Sequence, residues 1–243
     1  MKKVLEALNR EVVPQSHVAW VSQVQEWEKE HPSTAIRETE SLLPQYVVRQ
    51  IYEVTGGDAI IVTGVGQNQM WAAHYFQYNR PNTLISSGGL GPMGFELPAA
   101  MGAKVGCPGE TVWCIAGDGG FQMTIQELAT IVQESLAVKI AIINNRFLGM
   151  VRQWQQLFYE RRYVATPLSG PDFVKVAEAY DIAAMRVTDK LMVTSAIERA
   201  MAHQGPFLID FQVEPEENVY PMVRPGAALA EIIEQPREEV RVT

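Results

Sequence analysis

The segment Val112–Asn145, VWCIAGDGGFQMTIQELATIVQESLAVKIAIINN, limits what this chain can fold into more than any other stretch. Its two short, unbroken apolar runs, Val112–Ala116 and Ile140–Ile143, have the character of parallel strands buried on both faces. Between them, Thr124 and Glu127 have the spacing of a capping box, and Ile125, Leu128, Ala129 and Val132 follow on one helical face. Strand, helix and strand make a βαβ unit, whose right-handed crossover returns the chain to the same end of the sheet. Asp118 and Asn145, 27 positions apart, are therefore expected together at the carboxyl edge, where open α/β sheets bind ligands. Gly119 and Gly120 allow backbone N–H groups to approach an anion beside a helix N-terminus. One carboxylate, one amide oxygen and a diphosphate suit Mg2+, which takes few protein ligands alongside phosphate and water.

The rest of the chain extends the pattern. Further strands are expected at Ala59–Thr63, Thr83–Ser86, Ala183–Val187 and Phe207–Val213, with helical stretches between them. Six strands alternating with helices predict an α/β fold, a doubly wound and mostly parallel six-stranded sheet with helices on both faces. Ahead of it lie two amphipathic stretches, one with Val4, Leu5, Leu8 and Val12 on a face and one with Trp20, Val24 and Trp27. A polar linker follows them. The expected organisation is N-terminal helices and linker over 1–43, the main domain over 44–214 and a C-terminal tail over 215–243.

A competing motif is Gly89-Leu90-Gly91-Pro92-Met93-Gly94, a G-x-G-x-x-G run between a strand and a helix. Asp118 stands 24 positions beyond Gly94, near the place of a ribose-binding acid in a nicotinamide enzyme. The doubled glycine after Asp118 and the amide at Asn145 count against a dehydrogenase, because a ribose acid needs neither.

GDG followed by a run ending in NN resembles the thiamin diphosphate (ThDP) motif. The segments GVGQNQMWAAHY, SSGGLGPMGFELPAAMGA, GDGGFQMTIQELATI, NNRFLGMVRQWQQLFY and NVYPMVRPGAAL resemble the acetolactate (acetohydroxyacid) synthase catalytic subunit, from about Pro44 to Ala228. The resemblance implies that Asp118 and Asn145 ligate Mg2+ by side chain and Phe147 by its backbone oxygen. It places Gly66, Gln67, Asn68, Gly117, Gly119, Gly120, Leu148 and Gly149 around the diphosphate. Met93 would hold the cofactor bent, and Met150 would contact its aminopyrimidine. The family usually has His where this chain has Asn68. Trp154 has two readings: Met150, Trp154 and Phe158 at steps of four make the buried stripe of a helix, whereas the resemblance sets Trp154 at the substrate channel.

The activity implied is decarboxylation of pyruvate and carboligation to a second 2-ketoacid, pyruvate or 2-ketobutyrate, in branched-chain amino-acid biosynthesis. The Glu that activates the cofactor belongs to a separate pyrimidine-binding domain of the family, and FAD to its middle domain. The 1–43 segment resembles only the end of that middle domain. The chain is thus expected to act with a polypeptide carrying those parts, as a homodimer or tetramer with a regulatory small subunit, and to be inactive without them. Other ThDP-dependent carboligases or decarboxylases, and a non-catalytic ThDP-binding assembly module, are the alternatives.

Bulk properties agree with a small-ligand protein. A net charge of −8 and the lack of a basic cluster argue against nucleic acid. No apolar run has the ~20 residues of a membrane helix, and Met1-Lys2-Lys3 leads into an amphipathic pattern rather than a signal sequence. Cys107 and Cys114 are too few for a disulfide framework, which with the absence of an export signal suggests the cytoplasm. His17, His31, His74 and His203 are scattered away from the phosphate loops, and no zinc or Ser-His-Asp arrangement can be assembled.

Overall fold

A computed structural model describes residues 1–13 and 15–234. The part of the expected tail over 235–243 lies outside the described residues. The chain forms two compact units, Met1–Ala35 and Ile36–Thr243. The first holds helices α1 (Lys2–Glu11) and α2 (Val18–Glu30). Their apolar faces, including Val4, Leu8, Trp20 and Trp27, are exposed, and Trp20 meets Trp27 edge-on at 5.6 Å.

The second unit opens with α3 (Pro44–Thr55). Pro44 stands in its first turn, where a missing N–H costs nothing, and Gly56 closes it in the left-handed region at φ 60°. There follow β1 (Ile60–Thr63), α4 (Gln67–Tyr75), the two-residue β2 (Leu84–Ile85), α5 (Glu96–Gly106) and β3 (Val112–Gly117). Then come α6 (Asp118–Met123), α7 (Leu128–Gln133), β4 (Val138–Asn144), α8 (Gly149–Phe158) and α9 (Phe173–Ala179). The series ends with β5 (Ala183–Val187), α10 (Val193–Ala202) and β6 (Phe207–Gln212). Among the described residues no helix is long and apolar enough to cross a membrane.

All six strands are parallel, in the order β2-β1-β3-β4-β6-β5. Because side chains alternate along a strand, the strands inside the sheet feed two cores, while Leu84 of the edge strand β2 is exposed. Ile61, Trp113, Ile115, Ala141 and Ile209 pack on one face with α3, α4 and α10. Val62, Cys114, Ala116, Ile140, Ile142 and Leu208 pack on the other with α5, α6, α7 and α9. Burial on both faces is why these strands read as unbroken apolar runs and not as alternations.

One local expectation is overturned. The capping box at Thr124 and Glu127 does not form: the Thr124 hydroxyl donates instead to the Gly94 carbonyl at 3.1 Å and makes no cap bond. The helix after β3 starts at once with Asp118, breaks at Thr124 where φ is −132°, and resumes as a 3-10 turn and α7. In consequence Leu128 and Ile131 are buried, while Ala129 and Val132 face solvent.

The arrangement also removes the geometry a dinucleotide fingerprint requires. The Gly89–Gly94 loop follows β2 and Asp118 follows β3, yet β1 lies between those strands. A ribose acid belongs on the strand beside the one carrying the glycine loop.

Candidate functional site

Strand register brings the site together. Gly117 pairs with Ile143 across β3 and β4, so Asp118 and Asn145 leave adjacent strand ends at the carboxyl edge. They border a cavity of about 320 Å³, within the range of roughly 300–1,000 Å³ typical of small-molecule sites. Gly66, Gln67, Asn68, Met93, Gly117, Asp118, Gly119, Gly120, Asn145, Phe147, Leu148, Gly149 and Met150 all line it, joined by Val65, Trp71, Gly91, Ile143 and Val151. Most of these residues come from four turns and the helix starts they lead into, after β1, β2, β3 and β4, with Ile143 from β4 and Trp71 from within α4.

Asp118 is buried, and its Oδ1 accepts the Gly119 N–H at 3.0 Å. Burial pushes its carboxyl up to about 7, with the charge of Asp210 adding to the rise and the backbone N–H groups of Gly119, Arg146 and Asp118 opposing it. No ion pair to Asp118 occurs among the described residues. A cation at this carboxylate would reverse the effect of burial. Asn145 offers a second hard oxygen: its Oδ1 accepts the Phe147 N–H at 3.1 Å and keeps another lone pair. One carboxylate and one amide oxygen at a cavity edge match the few-ligand preference of Mg2+. Among the described residues no group of three His, Cys, Asp or Glu side chains is placed to hold a metal ion.

The glycines keep the floor of the cavity open. A Cβ on Gly119 would come within 3.0 Å of Leu168 and 3.1 Å of Leu148, and would also meet Met93 at 3.5 Å. Gly66, at φ 110°, adopts a backbone that side-chain-bearing residues rarely take. Such turns leave room for a diphosphate against backbone N–H groups, at the start of α4 and of α6.

Three side chains stand differently from a plain lining role. The Gln67 amide is bonded to protein at both ends: Nε2 donates to Gln153 Oε1 and the Glu217 carbonyl, and Oε1 accepts from Asn145. Asn68 donates to the Ile115 carbonyl at 3.1 Å and sets its oxygen 3.5 Å from the Cβ position of Gly117. Trp154 is half-buried on α8, one turn past Met150, and is not among the residues lining the cavity. Its ring meets Phe158 edge-on at 5.5 Å.

Sequence reasoning missed Gln153 and the 217–219 segment. Gln153 has no exposed surface, and Glu217, Asn218 and Val219 are buried although they fall in the expected tail. These bonds fix α8 to the segment after β6: Arg152 donates to the Glu217 carbonyl and to Asn218, and Gln153 pairs with the Val219 backbone. Glu217 further receives Gln45 and Arg37. The signal was a run of polar residues, Arg152 and Gln153, in the helix phase that an amphipathic reading assigns to solvent. None of the four histidines lines the cavity.

Comparison with known proteins converges on the same region. Residues 64–211 match the family described as thiamine pyrophosphate enzyme, C-terminal TPP binding domain. The chain is 50% identical over 198 residues to the acetolactate synthase of Mycobacterium bovis, covering 79% of this chain and 32% of that protein. It is 41% identical over 222 residues to the acetolactate synthase isozyme 2 large subunit of Escherichia coli K12, covering 91% and 39%. With acetolactate synthase 1, chloroplastic, of Oryza sativa subsp. japonica, identity is 45% over 223 residues, covering 88% and 35%. The chain thus spans about a third of the length of the curated relatives it matches. The family match takes in more than half of the chain and all four turns that build the cavity, so the chain belongs to the thiamine pyrophosphate enzymes and carries their C-terminal TPP-binding domain.

Proposed function

We propose that this chain is the cofactor-binding part of an acetolactate synthase, which decarboxylates pyruvate and joins the remaining two-carbon unit to a second 2-ketoacid. The observation that carries the reading is the cavity between the ends of β1, β3 and β4, with Asp118 and Asn145 on its edge and glycine turns beneath. The names of the relatives support the choice of reaction.

ThDP, when bound, supplies the ring that accepts the electrons released as CO2 departs. The chain's own residues bind and orient. Asp118 and Asn145 through their side chains, and Phe147 through its backbone oxygen, would hold Mg2+. The turns at Gly66, Gly119, Gly120, Leu148 and Gly149 would hold the diphosphate. Met93 would wedge against the cofactor, Met150 would border its aminopyrimidine, and Trp154 would border the second ketoacid. The activating Glu and the FAD site would come from a partner polypeptide or domain in a homo-oligomeric, cytoplasmic enzyme with a regulatory subunit. The exposed free thiol of Cys107 is compatible with a reducing compartment.

The test is calorimetric titration with ThDP in the presence and absence of Mg2+. It is followed by an acetolactate assay with pyruvate, before and after the pyrimidine-binding and FAD-binding portion of a relative is supplied in trans. Mg2+-dependent ThDP binding, with turnover only after complementation, is expected. No ThDP binding with Mg2+ present would refute the site, and turnover by the chain alone would refute the division of labour.

A further inference from the structure

The orientation of a metal-ligating amide is ambiguous by shape, since its oxygen and nitrogen ends are nearly isosteric; something must decide which end faces the ion. In this chain the decision can be traced to a backbone group. The Val219 N–H donates to Gln153 Oε1 at 2.8 Å, and Gln153 Nε2 donates to the Val219 carbonyl at 3.1 Å. A backbone N–H can only donate and a carbonyl can only accept, so this paired contact admits one orientation of the Gln153 amide. Gln153 Oε1, so placed, accepts Gln67 Nε2 at 2.8 Å, and the Glu217 carbonyl accepts the same nitrogen at 3.0 Å. Two acceptors at one end of Gln67 leave its Oε1 at the other, and Asn145 Nδ2 donates to it at 3.0 Å. The oxygen of Asn145 is then turned away from Gln67 and accepts the Phe147 N–H, a second backbone donor that favours the same orientation, and Asn145 is one of the residues lining the cavity.

All three amides are buried. Reversal of any one would set oxygen against oxygen and nitrogen against nitrogen in a site without bulk water to compensate. We infer that Gln153 is a positioning residue of the metal site: through Gln67 it directs the Asn145 oxygen toward the cation, with the 217–219 backbone as the fixed reference. The inference rests on the Mg2+–ThDP reading proposed above.

A carboxylate has no polarity to orient, which supplies the test. Mn2+ stands in for Mg2+, and its affinity is read by electron paramagnetic resonance at saturating ThDP on the full chain. Gln153→Met is expected to weaken Mn2+ binding about tenfold, at the lower end of the 10–100-fold typical for groups that orient metal ligands. In an Asn145→Asp background the same change is expected to be neutral or to tighten binding, because a freed Gln67 can turn its nitrogen toward the carboxylate. Equal losses in both backgrounds overturn the relay and leave the metal site standing. Absence of Mn2+ binding by the unaltered chain overturns the metal site itself.

A second measurement needs no variant. In the metal-free chain, the side-chain NH2 protons of Gln67 and Asn145 are expected to exchange slowly, and those of Gln67 to show nuclear Overhauser contacts to the Val219 amide proton. Fast exchange without those contacts overturns the relay even if Gln153→Met fails to fold.

Discussion

The Cβ that Gly149 lacks would fall on Gln67 Oε1 and within 2.7 Å of Asn145 Nδ2. Gly149 begins α8, so the helix can start there only because the Gln67–Asn145 hydrogen bond passes beneath a residue with no side chain. Gly149→Ala should therefore displace Gln67, with a stability loss of roughly 1–3 kcal/mol from overpacking and about tenfold weaker Mg2+–ThDP binding. Gly102→Ala is the control. That glycine lies inside α5 with nothing within 4 Å of its Cβ position, and the change should stabilise by about 0.5–1 kcal/mol. Chemical denaturation of both variants, alongside calorimetry, decides. Equal effects would show that Gly149 is an ordinary helix residue.

The contrast between what was legible in the residues and what was not has a physical origin. Strands β3 and β4 declare themselves because burial on both faces forbids polar residues, and their shared crossover places Asp118 beside Asn145 without further information. The start of α6 was misplaced because the helix begins at Asp118 and Thr124 falls at its break, with the hydroxyl tied to the Gly94 carbonyl 30 positions away, a contact that local spacing does not reveal. The amide relay was invisible for a similar reason. Gln67 is 86 residues from Gln153 and 150 from Glu217, and hydrophobic periodicity says nothing about which buried polar groups will meet. Gln67 lines the cavity, and its amide in addition joins Gln153, the Glu217 carbonyl and Asn145.

Asn68 donates a hydrogen bond through Nδ2 to the Ile115 carbonyl and sets its oxygen 3.5 Å from the Cβ position of Gly117 in the glycine wall of the cavity. An oxygen there offers nothing to an anionic ligand. Asn68→His would replace it with a ring able to donate, and a hydrogen bond to a charged group contributes roughly 1.5–3 kcal/mol. ThDP affinity should rise on the order of tenfold at pH 6, where the ring is protonated, and by less at pH 8. Titrations across that range test the point; an affinity unchanged at both ends would mean that residue 68 does not face the diphosphate.

Glu96 makes a pH-dependent contribution opposite to that of an ordinary surface carboxylate. It is fully buried at the start of α5, with Oε1 2.9 Å from the Cβ position of Gly64 and 2.5 Å from that of Gly120, and neither oxygen makes a hydrogen bond of good geometry. Burial raises its pKa, opposed by the nearby backbone N–H groups of Glu96 and Gly94. The folded state therefore holds a proton that the unfolded state releases near pH 4.3. Stability from this group is fully present below the unfolded pKa and is lost as pH rises through the folded one. Glu96→Gln removes the titration, so its stability relative to the parent should improve from pH 5 to pH 8. Denaturant midpoints at the two pH values measure this, and a difference independent of pH would contradict it.

Arg186 supports the half of the sheet beyond the cavity. From β5 its Nε donates to Asp210 Oδ2 at 3.0 Å, and another guanidinium nitrogen reaches Asp172 Oδ1 at 2.6 Å. Asp210 lies on β6 with 1% of its side chain exposed, and its other oxygen accepts Asn144 Nδ2 at 2.8 Å. The guanidinium is itself more than a third exposed, so the pair contributes less than a wholly buried one. Removing one partner is still costly, because the remaining carboxylate stays in a place that solvent barely reaches. Arg186→Met should destabilise the fold by roughly 2–4 kcal/mol at pH 7. Adding Asp210→Asn should restore part of that loss, since the stranded charge is then gone while the Asn144 contact can persist. Urea denaturation of the two single variants and the double variant gives the coupling directly. If the double variant loses the sum of the single losses, Asp210 is not held by Arg186, and the β5–β6 edge owes its stability to packing alone.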